Sequence, residues 1–157
     1  MLESCKNAQE RWGGVNLLIT RWLADREALI VALNHLRANP EKLGTDHEAL
    51  KKFCEVLVDY CSAGHFEIYD QLNSEAKAFD DERGLELADT LYPRINAITE
   101  KAMAFNDHCD NGDWSHGEEV AAELNALGAL LQERFELEDC LIEVLHTAHK
   151  QAVEVAQ

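Results

Sequence analysis

Between Ser4 and Ala38 the residues Cys5, Ala8, Trp12, Val15, Ile19, Trp22, Leu29, Leu33 and Leu36 follow one heptad seam whose single polar member is Arg26. A seam of that length requires a helix, because strands rarely exceed about ten residues and alternate with a period of two. Three further stretches carry apolar residues at intervals of three and four, and none alternates as a strand would. The chain is therefore expected to be all-α: a single antiparallel (up-down) four-helix bundle with long helices at about 4–38, 46–79, 84–109 and 116–155. Each stripe must be covered by its neighbours, and short connections favour antiparallel packing in one domain spanning 1–157.

The breaks are legible as local chemistry. Asn39 to Gly44, NPEKLG, ends the first helix, since Pro40 disfavours helix at the residue before it. Thr45 with Glu48 and Ser115 with Glu118 have capping-box spacing and mark the second and fourth helix starts. Asp80 to Arg83 with Gly84 is read as the second break, and Asp107 to Trp114 as the third. The third helix buries Ala88, Leu91, Ile95, Ile98, Ala102, Phe105 and Cys109, and Pro93 inside it predicts a kink near Asp89 to Pro93.

Thirty acidic against 14 basic residues leave a formal charge of −16. That balance argues against direct binding to nucleic acid or to an anionic membrane surface and favours a basic protein partner, or serves solubility alone. The start MLESCKNAQERW has no basic region followed by an apolar segment, and no apolar run approaches the roughly 20 residues of a bilayer span. A cytoplasmic protein is expected. The five cysteines, Cys5, Cys54, Cys61, Cys109 and Cys140, never form CxxC and read as reduced, mostly buried thiols rather than zinc ligands.

The stretch Val58 to Leu72 has two faces. Cys54, Leu57, Val58, Cys61, His65, Ile68 and Leu72 form a buried stripe. At about 100° per residue, Asp59, Ser62, Ala63, Phe66 and Asp70 gather on the other side. Small residues around an outward Phe, with carboxylates beside it, describe either a docking surface or an ordinary solvated one. Neighbouring Arg21 and Asp25 on the first helix are weaker candidates for the same face.

The fourth helix carries Val120, Leu124, Leu127, Leu131, Leu141, Leu145, Ala148 and Ala152 on its seam, interrupted by Arg134 and Glu138. With Arg26 and His65 these form a candidate polar layer inside the bundle, structural rather than catalytic, in which each charge needs a partner. A carboxylate-bridged di-iron bundle needs two Glu-x-x-His pairs, and only Glu143 to His146 has that order. No phosphate-cradling loop or nucleophile elbow is present. No metal, cofactor or catalytic residue is expected.

The segments ESCKNAQERWGGV and RWL near the start, FCEVLVDYCSAGHFEIYDQL, FNDHCDNGD and ERFELEDCLIEVLH resemble the Rsd/AlgQ family of bacterial anti-sigma factors over nearly the whole chain, most closely its AlgQ branch. The resemblance implies a four-helix bundle that binds domain 4 of the primary sigma-70 factor, one-to-one, and limits its access to RNA polymerase, without catalysis. It implies that Asp59, the acidic residue of the VDY triplet, is a determinant of sigma binding; Ser62, Phe66 and Asp70 join it only by helical face. An HPr-like phosphocarrier as a second partner, and alginate genes among the targets, are suggested by the same likeness.

Overall fold

The computed structural model describes residues 2–43, 47–110 and 117–155, and among them the secondary structure is entirely helical. Helix α1 (Leu2–Ala38) is followed by a 3-10 turn (Pro40–Lys42). Helix α2 (His47–Ala63) runs through a π-turn (Gly64–Ile68) into α3 (Tyr69–Ala78), and these form one continuous rod. Helix α4 (Glu82–Asp110) is the third rod; α5 (Gly117–Ile142), a second π-turn (Glu143–Thr147) and α6 (Ala148–Val155) make the fourth. Both capping boxes lie outside the described residues, as do Gly44, the end of the third break and the side chains of Cys5, Ala8 and Ala152.

The stripes meet in one core. Leu29, Phe53, Leu57, Leu72, Ile95, Leu131 and Leu141 are fully buried, and each such side chain contributes about 1.5–3 kcal/mol relative to exposure. Helix α1 packs on α2, α2 on α4, α4 on α5, and α6 returns to α1. Cys54, Cys61, Cys109 and Cys140 are not in disulfides, and the first two are buried. No helix among the described residues is long and apolar enough to cross a membrane.

Between α3 and α4 the chain turns within Phe79–Asp81, tighter than the break expected at Asp80 to Arg83. The Asp81 N–H reaches back to Ala76 O (2.9 Å) and the Asp80 N–H to Lys77 O (3.1 Å), with Asp80 in the left-handed region at φ 53°. This is a Schellman close in which Asp takes the place usual for Gly. Asp81 then caps the next helix by accepting the Gly84 N–H at 2.9 Å, so α4 starts at Glu82 rather than at Gly84. A Cβ on Gly84 would lie 2.5 Å from that carboxylate, which explains a glycine inside the first turn. Pro93 sits within α4, which continues through it.

Two seams depart from the expected spacing. In the last rod Ala148, expected inside, is exposed, and His149 and Val153 are buried instead. A π-turn takes up one extra residue, so every seam position beyond Thr147 moves on by one. In the second rod Val58 and His65, expected within the buried stripe, are only half-buried, while Tyr60, Gly64 and Tyr69 are buried.

Candidate functional site

The π-turn in the second rod is closed by the Tyr69 N–H bonding to Gly64 O, five residues back. Its effect is geometric. Residues nine apart on an α-helix, such as Tyr60 and Tyr69, lie about 180° apart at 100° per residue. Here both point inward and donate to one carboxylate, Tyr60 Oη to Glu138 Oε1 at 2.6 Å and Tyr69 Oη to Glu138 Oε2 at 2.5 Å. Gly64 makes room for this convergence: a Cβ there would sit 3.2 Å from Trp22 and 3.3 Å from both Tyr69 and Arg134.

Arg26, Arg134 and Glu138 meet at this level. Arg134 and Glu138 are fully buried, one helical turn apart, with Arg134 Nε donating to Glu138 Oε2 at 3.1 Å. Three of the four remaining guanidinium hydrogens go to Tyr69 Oη (3.0 Å), Thr99 Oγ1 (3.0 Å) and Cys61 Sγ (2.7 Å). Burial works against the charge on Arg134, but Cys61, Tyr69 and Glu138 outweigh it and hold its pKa above the ordinary value. Burial pushes the Cys61 thiol up to about 11, so it remains a thiol. Burial and the neighbouring Glu138 charge likewise raise both phenols, Tyr60 and Tyr69, which stay neutral donors.

Arg26 approaches from α1, its Nε donating to Tyr60 Oη at 3.0 Å and its Nη1 to Asp139 at 2.6 Å. Its Nη2 lies 3.6 Å from Glu138 Oε1, an ion pair by distance but beyond hydrogen-bond range, and has no hydrogen-bond partner among the described residues. The guanidinium also stacks over Phe135, 4.9 Å from its centroid. His65 joins only at the edge: its Nε2 lies 2.9 Å from Thr99 Oγ1. Thr99 gives its one hydrogen to Ile95 O, which leaves His65 as the donor. Burial, then Arg134, lowers the His65 pKa, consistent with a neutral ring.

Above this layer lies the outward surface. Asp59 and Phe66 are exposed, Phe66 at 82 %, while Ser62 and Ala63 are half-buried. Asp70 is exposed. An unbroken α-helix would set it within about 20° of Asp59, but the π-turn lies between the two. Burial pushes the Tyr92 phenol up to about 12, with Asp89 and Asp70 adding to the rise. Arg21 and Asp25 are exposed on α1. A groove of about 770 Å³ between α1 and α2, floored by Ala24, Ala28, Val31, Ala49 and Val56, leads toward them, with Arg21 one turn before Ala24 and Asp59 one turn after Val56.

A second buried cluster was not foreseen. Glu75, with no exposure, receives His146 Nδ1 at 2.8 Å and His149 Nδ1 at 3.0 Å, one ring on each oxygen. His146 Nε2 faces Asn16 (3.1 Å) and His149 Nε2 faces Asp81 (2.8 Å). Trp12 stacks on His146 with centroids 4.3 Å apart, and Phe79 on His149 at 4.6 Å. The cluster ties α1, α3, the turn before α4, the second π-turn and α6 together. It also separates the Glu-x-x-His pair, since Glu143 is exposed and His146 buried. Among the described residues no group of three or more His, Cys, Asp or Glu is arranged to hold a metal ion.

The family model described as regulator of RNA polymerase sigma(70) subunit, Rsd/AlgQ, matches residues 1–146. The chain belongs to the Rsd/AlgQ family. It is a regulator of the sigma-70 subunit by that membership. Curated relatives named regulator of sigma D share this extent: the protein of Pectobacterium carotovorum subsp. carotovorum (strain PC1) is 38 % identical over 152 residues, covering 93 % of this chain and 99 % of its own. That of Sodalis glossinidius (strain morsitans) is 39 % identical over 150 residues, covering 91 % and 97 %. That of Enterobacter sp. (strain 638) is 37 % identical over 148 residues, covering 90 % and 88 %. No solved structure matches.

Proposed function

We propose that this protein binds domain 4 of the primary sigma-70 factor, one-to-one, through the outward surface of the second rod, and thereby keeps that domain from core RNA polymerase and promoter DNA. The observation that carries the reading is Phe66, a large apolar side chain 82 % exposed on the same rod as Asp59, in a sigma-70 regulator with a charge of −16. The resemblance supports domain 4 as the partner in this reading, a basic helix-turn-helix module that meets DNA and a flap of the polymerase. An acidic binder is steered to such a module, and an aromatic anchor beside a carboxylate suits a basic, partly apolar surface. Asp59 and Phe66 are assigned the main contacts, with Ser62, Arg21 and Asp25 around them and Asp70 beyond the π-turn.

In this reading the four rods form one up-down bundle acting in the cytoplasm as a binding protein and not as an enzyme. The polar layer of Arg26, Arg134 and Glu138 sets helix register beneath the docking face. The test is calorimetric titration with isolated sigma domain 4 across a salt series. A one-to-one complex whose affinity falls with salt, as screening contracts to about 8 Å at physiological ionic strength, is expected. No heat and no complex at low salt overturns the reading.

A further inference from the structure

We infer that the Glu138 carboxylate and the π-turn it holds are a positioning device for the docking face, fixing the direction in which Phe66 is presented relative to Asp59. The inference rests on the reading that these two residues contact the partner. Asp59 precedes the turn and sits beside Tyr60; Phe66 lies within it, three residues before Tyr69. Tyr60 and Tyr69 are the only residues of this rod that donate to Glu138 among the described contacts, one to each oxygen. One buried carboxylate therefore grips the helix on both sides of the turn and sets how far the second half is rotated against the first.

Phe66 and Glu67 of the turn are exposed, and packed side chains support it from beneath. Trp22 stacks on Tyr60 with centroids 4.8 Å apart and meets Tyr69 edge-on, while Arg134 reaches Tyr69 Oη at 3.0 Å. Gly64, at the base of the turn, is packed between Trp22, Tyr69 and Arg134, where a side chain would crowd all three. A π-turn is less favourable than the α-helix on either side and is found mostly at functional positions. Without its tethers the helix is free to shift the extra residue along its length, which would swing Phe66 around the rod while leaving most of the core in contact.

A double-mutant cycle tests this on the full chain, with affinity for isolated sigma domain 4 as the readout. Tyr69→Phe removes the hydroxyl that tethers the far side of the turn and keeps the ring; Phe66→Ala removes the anchor. A positioned Phe66 makes its full contribution only when the turn is held. Phe66→Ala should then weaken binding at least about thirtyfold in the wild-type background but only about fivefold or less in the Tyr69→Phe background. Faster amide hydrogen exchange at residues 64–69 in Tyr69→Phe should accompany the coupling. Equal losses in both backgrounds overturn the inference and leave the docking face standing. No loss on Phe66→Ala in the wild-type background overturns the docking face and this inference with it. Should Tyr69→Phe melt too low to titrate, Tyr60→Phe, which frees the near side of the turn from the same carboxylate, takes its place in the cycle.

Discussion

Replacing Glu138 with Ala should be among the most damaging single changes in the bundle. The carboxylate has no solvent exposure and receives two phenol hydrogens at 2.5–2.6 Å and the Arg134 Nε at 3.1 Å, with Arg26 Nη2 at 3.6 Å. Its loss leaves Arg134, also fully buried, with no carboxylate among its described partners; breaking a buried pair by removing one member costs about 3–5 kcal/mol. Each phenol that loses its acceptor adds about 1–3 kcal/mol before relaxation, though these costs overlap and do not simply sum. The expected loss is therefore about 4–6 kcal/mol, a large share of the roughly 5–15 kcal/mol that holds such a domain folded. Urea melts with a two-state fit measure it. The paired replacement Arg134→Met with Glu138→Leu should cost less than Glu138→Ala alone, since no charge is then left without its partner. A loss under about 1 kcal/mol for Glu138→Ala, the range of an exposed pair, refutes the account of a dry, mutually dependent layer.

Further outcomes follow from neighbouring contacts. Arg26→Ala should cost about 2–4 kcal/mol in the same melts, less than a fully buried partner because its side chain keeps 11 % exposure and Arg134 still pairs Glu138; an unchanged midpoint would remove Arg26 from the layer. Glu75→Ala should lower the melting temperature and free Trp12, seen as a shift in tryptophan emission, because two buried imidazoles lose their acceptor; unchanged emission with an unchanged melt would contradict it. Asp81 has its carboxyl held below the usual range, chiefly by the Gly84 N–H and then by His149. A depressed folded pKa stabilises above the unfolded value of about 3.9 and that increment is lost as pH falls through the folded value. Thermal melts from pH 6 downward should thus fall less steeply in Asp81→Asn than in wild type, and parallel curves would show that the cap carries no acid-linked stability.

Much of this architecture is readable from spacing alone. The seam of α1, with Arg26 as its one polar member, and the buried positions Leu124, Leu131, Leu141 and Leu145 follow from intervals of three and four. The same intervals mark Arg134 and Glu138 as intrusions into a core. What spacing conceals is any local change of period. Tyr60 and Tyr69 are nine apart and sit on opposite faces of an ideal helix, so their shared grip on Glu138 is invisible until the π-turn is seen. For the same reason Ala148 falls on the seam by spacing, whereas His149 is the residue that is buried. Glu75, His146 and His149 are missed differently: their contacts span more than 70 residues, and each looks like a surface residue in its own segment. The exposed face was legible through Asp59 and Phe66, whereas the π-turn that separates Asp59 from Asp70 was not.

The docking face is tested most directly by calorimetric titration of Asp59→Ala and of Phe66→Ala against isolated sigma domain 4, each variant paired with a thermal melt. Both side chains are exposed, so both variants should melt close to wild type. A desolvated carboxylate contact is worth about 2–5 kcal/mol on truncation and an aromatic anchor at least about 2 kcal/mol, so each should weaken binding by roughly thirtyfold or more. Wild-type affinity in both folded variants would contradict the account and move the sigma contact off this surface.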